Sequence, residues 1–145
     1  MPRSDSPASR RDAGFTLVEM LVVLAIVGML TALVGPQVMG YLGRAKTETA
    51  RVEIQNLETA LDLFRLDVGR YPTDKEGLAA LVDKPDGAPL WSGPYLKKHA
   101  VPNDPWDHPF VYRVPGHHGG AYDLYSAGPD NSAEAGEGKE TAKNW

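Results

Sequence analysis

The sequence predicts an α+β protein: one long N-terminal helix, membrane-spanning in its first half, packed on a small antiparallel sheet with a C-terminal loop. Three observations predict it. Phe15 to Gly35 is a 21-residue apolar run with Glu19 as its only charge, long enough as a helix to cross about 30 Å of hydrocarbon. Ile54, Leu57, Leu61, Phe64 and Val68 then follow at spacings of 3, 4, 3 and 4, one stripe of an amphipathic helix. From Pro72 onward lie nine of the twelve prolines, a density that excludes long helices and favours loops with short strands.

Taken in order, residues 1–14 form a hydrophilic leader, 15–35 the membrane-spanning half of the helix, 36–68 its amphipathic half, and 69–145 a globular region. The two helix halves read as one helix from about Phe15 to Val68, about 80 Å long at 1.5 Å per residue. Lys46, Glu48, Arg51, Glu53, Glu58, Asp62 and Arg65 mostly occupy the faces away from the apolar stripe, and Gly69 is a plausible stop. Pro36 removes a backbone hydrogen bond and clashes with the preceding turn, so a kink or local melting is expected near Thr31–Gly35. That segment reads either as a simple boundary between a membrane helix and a soluble one or as a segment able to stretch. Beyond Gly69, a short helix is expected at Glu76–Val82. Strands are expected at Phe110–Val114 and Ala121–Ser126, joined by a turn at His117-His118-Gly119-Gly120. A three-stranded antiparallel sheet on the helix stripe is about all this chain can build.

Composition narrows the function. The formal net charge is −4, and the leader's three arginines against two aspartates leave the remainder one unit more negative. A nucleic-acid partner would want a basic face. There is no cysteine, which excludes disulfide stapling and thiolate metal sites. The leader arginines place the N-terminus on the cytoplasmic side of a single span.

The order of parts at the N-terminus differs from that of a secretory signal, in which the apolar core precedes the cleavage site. Here Arg10, Arg11 and Asp12 lead to a small residue, Gly14, and the apolar run follows it. Cutting after Gly14 would leave the apolar segment attached and create an α-amino group on Phe15. Glu19, about one turn further on, costs about 2.5–3.5 kcal/mol in the bilayer on insertion scales unless it is paired. The amine of one subunit and the carboxylate of another match in charge and depth.

Gly14-Phe15-Thr16-Leu17-Val18-Glu19 followed by an apolar helix resembles the N-terminus of type IV prepilins, shared by type IV pilins and type II secretion pseudopilins. Further along, several stretches resemble the major, G-type pseudopilin of type II secretion. They are Arg70-Tyr71-Pro72-Thr73, Glu76-Gly77-Leu78 with Leu81-Val82, Tyr95-Leu96-Lys97-Lys98, Asp104-Pro105-Trp106, Tyr122-Asp123-Leu124-Tyr125-Ser126 and Asn144-Trp145. The resemblance implies a type IV pilin-like fold and a structural subunit rather than an enzyme. Prepilin peptidase would cut after Gly14 and methylate the Phe15 amine. The mature chains would polymerise with themselves into a pseudopilus, growing from the bacterial inner membrane into the periplasm. Minor pseudopilins and an inner-membrane secretion platform would be further partners. The alternative is the major subunit of a type IV pilus, against which the lack of a cysteine pair and the short polar C-terminal stretch both speak. A signal-anchored periplasmic enzyme is the third class, but no Ser-His-Asp, His-Glu-x-x-His or P-loop pattern is present.

Other candidate residues divide between the bland and the functional. His99, His108, His117 and His118 lie in loops and turns, and no nearby carboxylate obviously orients the adjacent pair, so they read as solvated. Glu58 and Asp62, an i, i+4 acidic pair, repel on one helix face and invite a basic partner from a neighbouring subunit, with Lys97-Lys98 the clearest basic pair; Phe15, Glu19 and Pro36 complete the candidate assembly residues. Between Ser126 and Thr141 lie many hard oxygens of the kind calcium takes. On residue types alone this is a solvated acidic loop. The resemblance implies a calcium site there, with the carbonyl of Ala127, Asp130, Glu140 and Thr141 as candidate ligands, Thr141 standing where the family has a second carboxylate.

Overall fold

The computed structural model describes residues 14–131 and 141–145. The chain divides between Met39 and Gly40 into two compact units. The predicted helix is present as α1, Leu17–Val68, 52 residues. Its start is set by an N-cap: the Thr16 hydroxyl accepts the Glu19 N–H at 3.2 Å, with Glu at the third helical position. Its end is set by Gly69, whose positive φ of 85° suits a residue without Cβ and whose N–H closes on the Arg65 carbonyl at 2.8 Å.

In the first unit every described residue from Gly14 to Val34 is exposed. The local melting expected around Thr31–Gly35 is absent; helical structure continues through Pro36. A proline costs an interior helix about 3 kcal/mol, whereas unwinding would strand several backbone groups where lipid cannot satisfy them. The Thr31 hydroxyl donates back to the Val27 carbonyl at 2.8 Å, an arrangement that bends rather than opens a helix.

In the second unit the predicted stripe is the core. Ala50, Ile54, Leu57, Ala60, Leu61 and Phe64 of α1 are buried with Leu78, Leu81, Phe110, Tyr122, Leu124 and Ala142, and Val68 packs against them. The expected short helix is a 3-10 turn, Gly77–Leu81. It is anchored by the Trp91 indole N–H on the Ala80 carbonyl at 2.8 Å. A twin contact ahead of it joins Arg70 to Glu76 at 2.7 and 2.8 Å, while Glu76 also accepts the Thr73 N–H.

The sheet is smaller than expected. Strands β1 (Val111–Arg113) and β2 (Asp123–Tyr125) pair antiparallel, Val111 opposite Tyr125 and Arg113 opposite Asp123. Pro109 and Pro115 flank β1 and bound the ladder that Phe110 and Val114 would have extended. No third strand is present among the described residues. Its place on the free edge of β2 is taken by a single bridge, Tyr125 with Lys143, supported by Ser126 N–H on the Ala142 carbonyl and Asn144 N–H on the Leu124 carbonyl.

Candidate functional site

The apolar first unit leaves the candidate processing and assembly residues Gly14, Phe15, Glu19 and Pro36 exposed. Phe15 is 77 % exposed, and Glu19 is exposed with no ion pair among the described residues. At Gly14 a Cβ would meet nothing within 4 Å, so the fold itself does not require glycine there. Glu19 has a role that the sequence reading missed, although Thr16-x-x-Glu19 was its visible signal: its N–H completes the capping turn.

The acidic pair on α1 is engaged within the subunit. Asp62 accepts the Tyr71 hydroxyl at 2.9 Å, and that hydroxyl in turn accepts from Arg65 at 3.3 Å. Glu58 is half-buried. Burial pushes its carboxyl up, a hydrogen bond from the Asn144 side chain pulls it down, and the charge of Asp62 pushes it up again, leaving it above the usual range. Lys97 and Lys98 are exposed, and no ion pair joins them to Glu58 or Asp62 among the described residues.

Of the calcium candidates, Glu140 lies outside the described residues. Ala127 is buried, Asp130 exposed and Thr141 half-buried. The two ends of this loop are tied together. Ser126 N–H reaches the Ala142 carbonyl at 2.9 Å, and the Ser126 hydroxyl accepts the Gly128 N–H at 3.1 Å while donating to buried Asp104 at 2.5 Å. Asp104 also accepts the amides of Trp106 and His108 at 3.0 and 2.8 Å. Ala127 and Thr141 therefore sit on either side of a fixed neck. The donor set is oxygen throughout, as a hard cation requires.

The histidine pair is not merely solvated. Asp123, buried in β2, accepts the His117 N–H at 2.8 Å and meets the His118 ring Nδ1 at 3.0 Å. A carboxylate only accepts, so Nδ1 is the protonated nitrogen. Burial pushes the Asp123 carboxyl up, but the amides of His117 and His118 and the His118 ring outweigh this and leave it below the usual range. The His118 ring lies flat on Trp145, centroids 4.0 Å apart and planes 3° from parallel. Asp123, five residues from His118, is the orienting carboxylate that the sequence reading failed to find. Only the hairpin register brings it to the turn.

An exposed apolar helix behind a capped Phe-Thr-Leu-Val-Glu start, followed by a one-core α+β unit, defines a pilin-like subunit. Residues 9–35 match the prokaryotic N-terminal methylation motif. Residues 37–145 match the type II secretion system protein G family, and the chain belongs to that family. It is 43% identical over 140 residues to the type II secretion system core protein G of Pseudomonas aeruginosa, covering 94% of this chain and 96% of that one. It is 42% identical over 142 residues to the protein of the same description from Escherichia coli K12, covering 95% and 94%. The crystal structure of the major pseudopilin from the type 2 secretion system of enterohaemorrhagic Escherichia coli superimposes with a TM-score of 0.62 at 32% identity, over 74% of this chain and 92% of that one. The chain is thus a pseudopilus subunit of type II secretion, anchored through its apolar N-terminal helix, and the type IV pilus alternative is not favoured.

Proposed function

We propose that this chain is processed by prepilin peptidase after Gly14, methylated at Phe15, and polymerised by side-by-side packing of its apolar helices, with no catalytic role of its own. The N-terminus is cytoplasmic and the span single-pass in the bacterial inner membrane. The fibre grows into the periplasm, helping to drive folded proteins across the outer membrane, with minor pseudopilins and the inner-membrane platform as partners. One observation carries this reading: every residue from Phe15 to Val34 is exposed, and Glu19 has no ion pair among the described residues. A carboxylate at that depth is tolerable when it meets the Phe15 amine of an adjacent subunit. Glu19→Val tests it directly. The variant should insert in the membrane at least as well as wild type yet form few fibres by electron microscopy; assembly at wild-type level would overturn the pairing.

We further infer a calcium ion in the loop after Ser126, held by the Ala127 carbonyl, Asp130, Glu140 and Thr141. The tied neck formed by Ser126 and Ala142 supports this reading, because it brings both arms of the loop together before any ligand arrives. Bound there, the ion would supply positive charge to a loop rich in carboxylates. Isothermal titration of the mature chain with calcium, before and after Asp130→Ala, tests it: a saturable heat that the substitution abolishes is expected, and its absence from the unmutated chain refutes the site.

A further inference from the structure

The chain has 19 acidic against 15 basic residues, yet one concavity in it is lined by an arginine and two histidines. A cavity of about 260 Å³ opens among Arg113, His117, His118, Asp123 and Tyr125. In the hairpin register Arg113 stands directly opposite Asp123, where opposite charges ordinarily pair across an antiparallel ladder. They do not pair. Both oxygens of Asp123 are turned to the 117–118 turn, Oδ2 to the His117 N–H and the His118 ring, Oδ1 to the His118 N–H at 3.4 Å.

The backbone enforces this separation. A Cβ at Gly116 would lie 2.5 Å from the Gly120 carbonyl oxygen and 3.1 Å from Asp123 Oδ1, so the turn closes on the carboxylate as tightly as glycine allows. Asp123 is buried while Arg113, one strand away, is exposed. Arg113 makes no ion pair among the described residues. The His117 ring makes no hydrogen bond among them either, and the His118 ring is held in place by Trp145. A guanidinium is a five-donor fork matched to oxyanions, and here its natural intrachain acceptor has been withdrawn.

We infer that this cavity is an oxyanion site, in which Arg113 grips a carboxylate or phosphate and the His117 ring supplies a second donor. Its volume suits one anionic group rather than a nucleotide-sized ligand. It is separate from the calcium reading, since none of its residues belongs to the loop after Ser126. The anion has two possible sources with the same chemistry: a free oxyanion, or a side-chain carboxylate of another copy of this acidic chain.

The test uses the full mature chain in detergent micelles. Sodium acetate and inorganic phosphate are titrated in at constant ionic strength while the ring signals of His117 and His118 are followed by NMR. Saturable shifts of both rings are expected. Arg113→Gln should weaken the apparent affinity by roughly tenfold or more, as expected for losing a charge-assisted contact, with an unchanged melting temperature. His117→Gln, also exposed, should weaken it severalfold and serves if the arginine variant folds poorly. Dilution without added anion separates the sources. Ring signals that follow protein concentration in wild type but not in Arg113→Gln assign the carboxylate to another copy; signals independent of concentration assign the site to a free anion. Shifts that never saturate, or that are identical in wild type and both variants, overturn the site.

Discussion

Glu53→Gln should make this protein more stable at neutral pH. Glu53 lies on the α1 face that also carries Lys46, whose ammonium sits 6.0 Å from the Trp106 ring centroid, so that face looks onto the Asp104–Trp106 loop. Its Oε2 is buried and has no hydrogen-bond partner. Asp104 cannot help: it is 4 % exposed and its oxygens already take Trp106 N–H, His108 N–H and the Ser126 hydroxyl. Burial, then the charge of Asp104, push the Glu53 carboxyl up, with Lys98 pulling the other way. A buried acceptor without a partner costs about 1–3 kcal/mol. A neutral amide removes the repulsion from Asp104 and lowers the cost of burying the group, so about 1 kcal/mol should be recovered. For a domain of this size that corresponds to about 4–8 °C in melting temperature.

The pH dependence gives the sharper test. A carboxyl whose folded pKa is raised binds a proton more readily folded than unfolded, so its favourable contribution is complete below the unfolded value near 4.5 and is lost as pH rises through the raised value. Glutamine has no such dependence. The gap between variant and wild type should therefore be full at pH 7–8 and close as pH falls toward 4.5. Thermal melts of the mature chain followed by circular dichroism across that range measure it. A variant that melts lower than wild type at pH 7, or a gap that stays constant with pH, refutes the reasoning.

Other outcomes follow from the same structure. Gly14→Val should leave a full-length chain in the inner membrane by intact-mass measurement, because the fold leaves room for a Cβ there and only the peptidase would object. Glu76→Gln should lose about 1 kcal/mol at pH 7, since the partly exposed Arg70 screens the pair. Because Arg70, aided by Thr73, holds the Glu76 carboxyl down at about 2, that loss should be full above pH 4.5 and vanish as pH falls toward 2, read by melts at pH 2 to 7. Calcium in hundredfold excess over its Kd should raise stability by about 2.7 kcal/mol. Asp130→Ala should melt at the chelator-treated temperature whether or not calcium is present; equal wild-type melts with and without calcium count against the loop reading.

The parts of the fold with a strong period were legible in the sequence. The 3-4-3-4 stripe of Ile54, Leu57, Leu61 and Phe64 became the core, and Gly69 ended the helix as expected. The expected third strand is not present among the described residues, because the C-terminal arm meets β2 through the single bridge at Lys143, and a contact that short leaves no alternating pattern to read. Of the two outcomes expected near Pro36, a kink or local melting, the unbroken helix excludes melting, which local propensity alone allows because it ignores the cost of unsatisfied backbone in lipid. The Asp123–His118 contact was hidden for another reason: residues five apart meet only when a hairpin folds them back. Tyr71, which takes up Asp62 from nine residues away, was hidden in the same way.

Asn144 shows how these local facts combine. Its backbone N–H reaches the Leu124 carbonyl, its Oδ1 accepts the Leu124 N–H at 2.9 Å, and its Nδ2 faces the Tyr122 carbonyl at 3.4 Å. The same side chain hydrogen-bonds Glu58 of α1. One residue thus fastens the C-terminal arm to β2 and both to the acidic face of the helix. Thr141, at the far end of the proposed calcium loop, lies three positions before it. The arm that carries Thr141 therefore also carries the residue that satisfies Glu58, and displacing it leaves a half-buried carboxylate short of a donor. The neck at Ser126 and the tie at Asn144 together set the arm's position, so the surroundings of Glu58 on α1 depend on contacts made far along the chain, at its C-terminal arm.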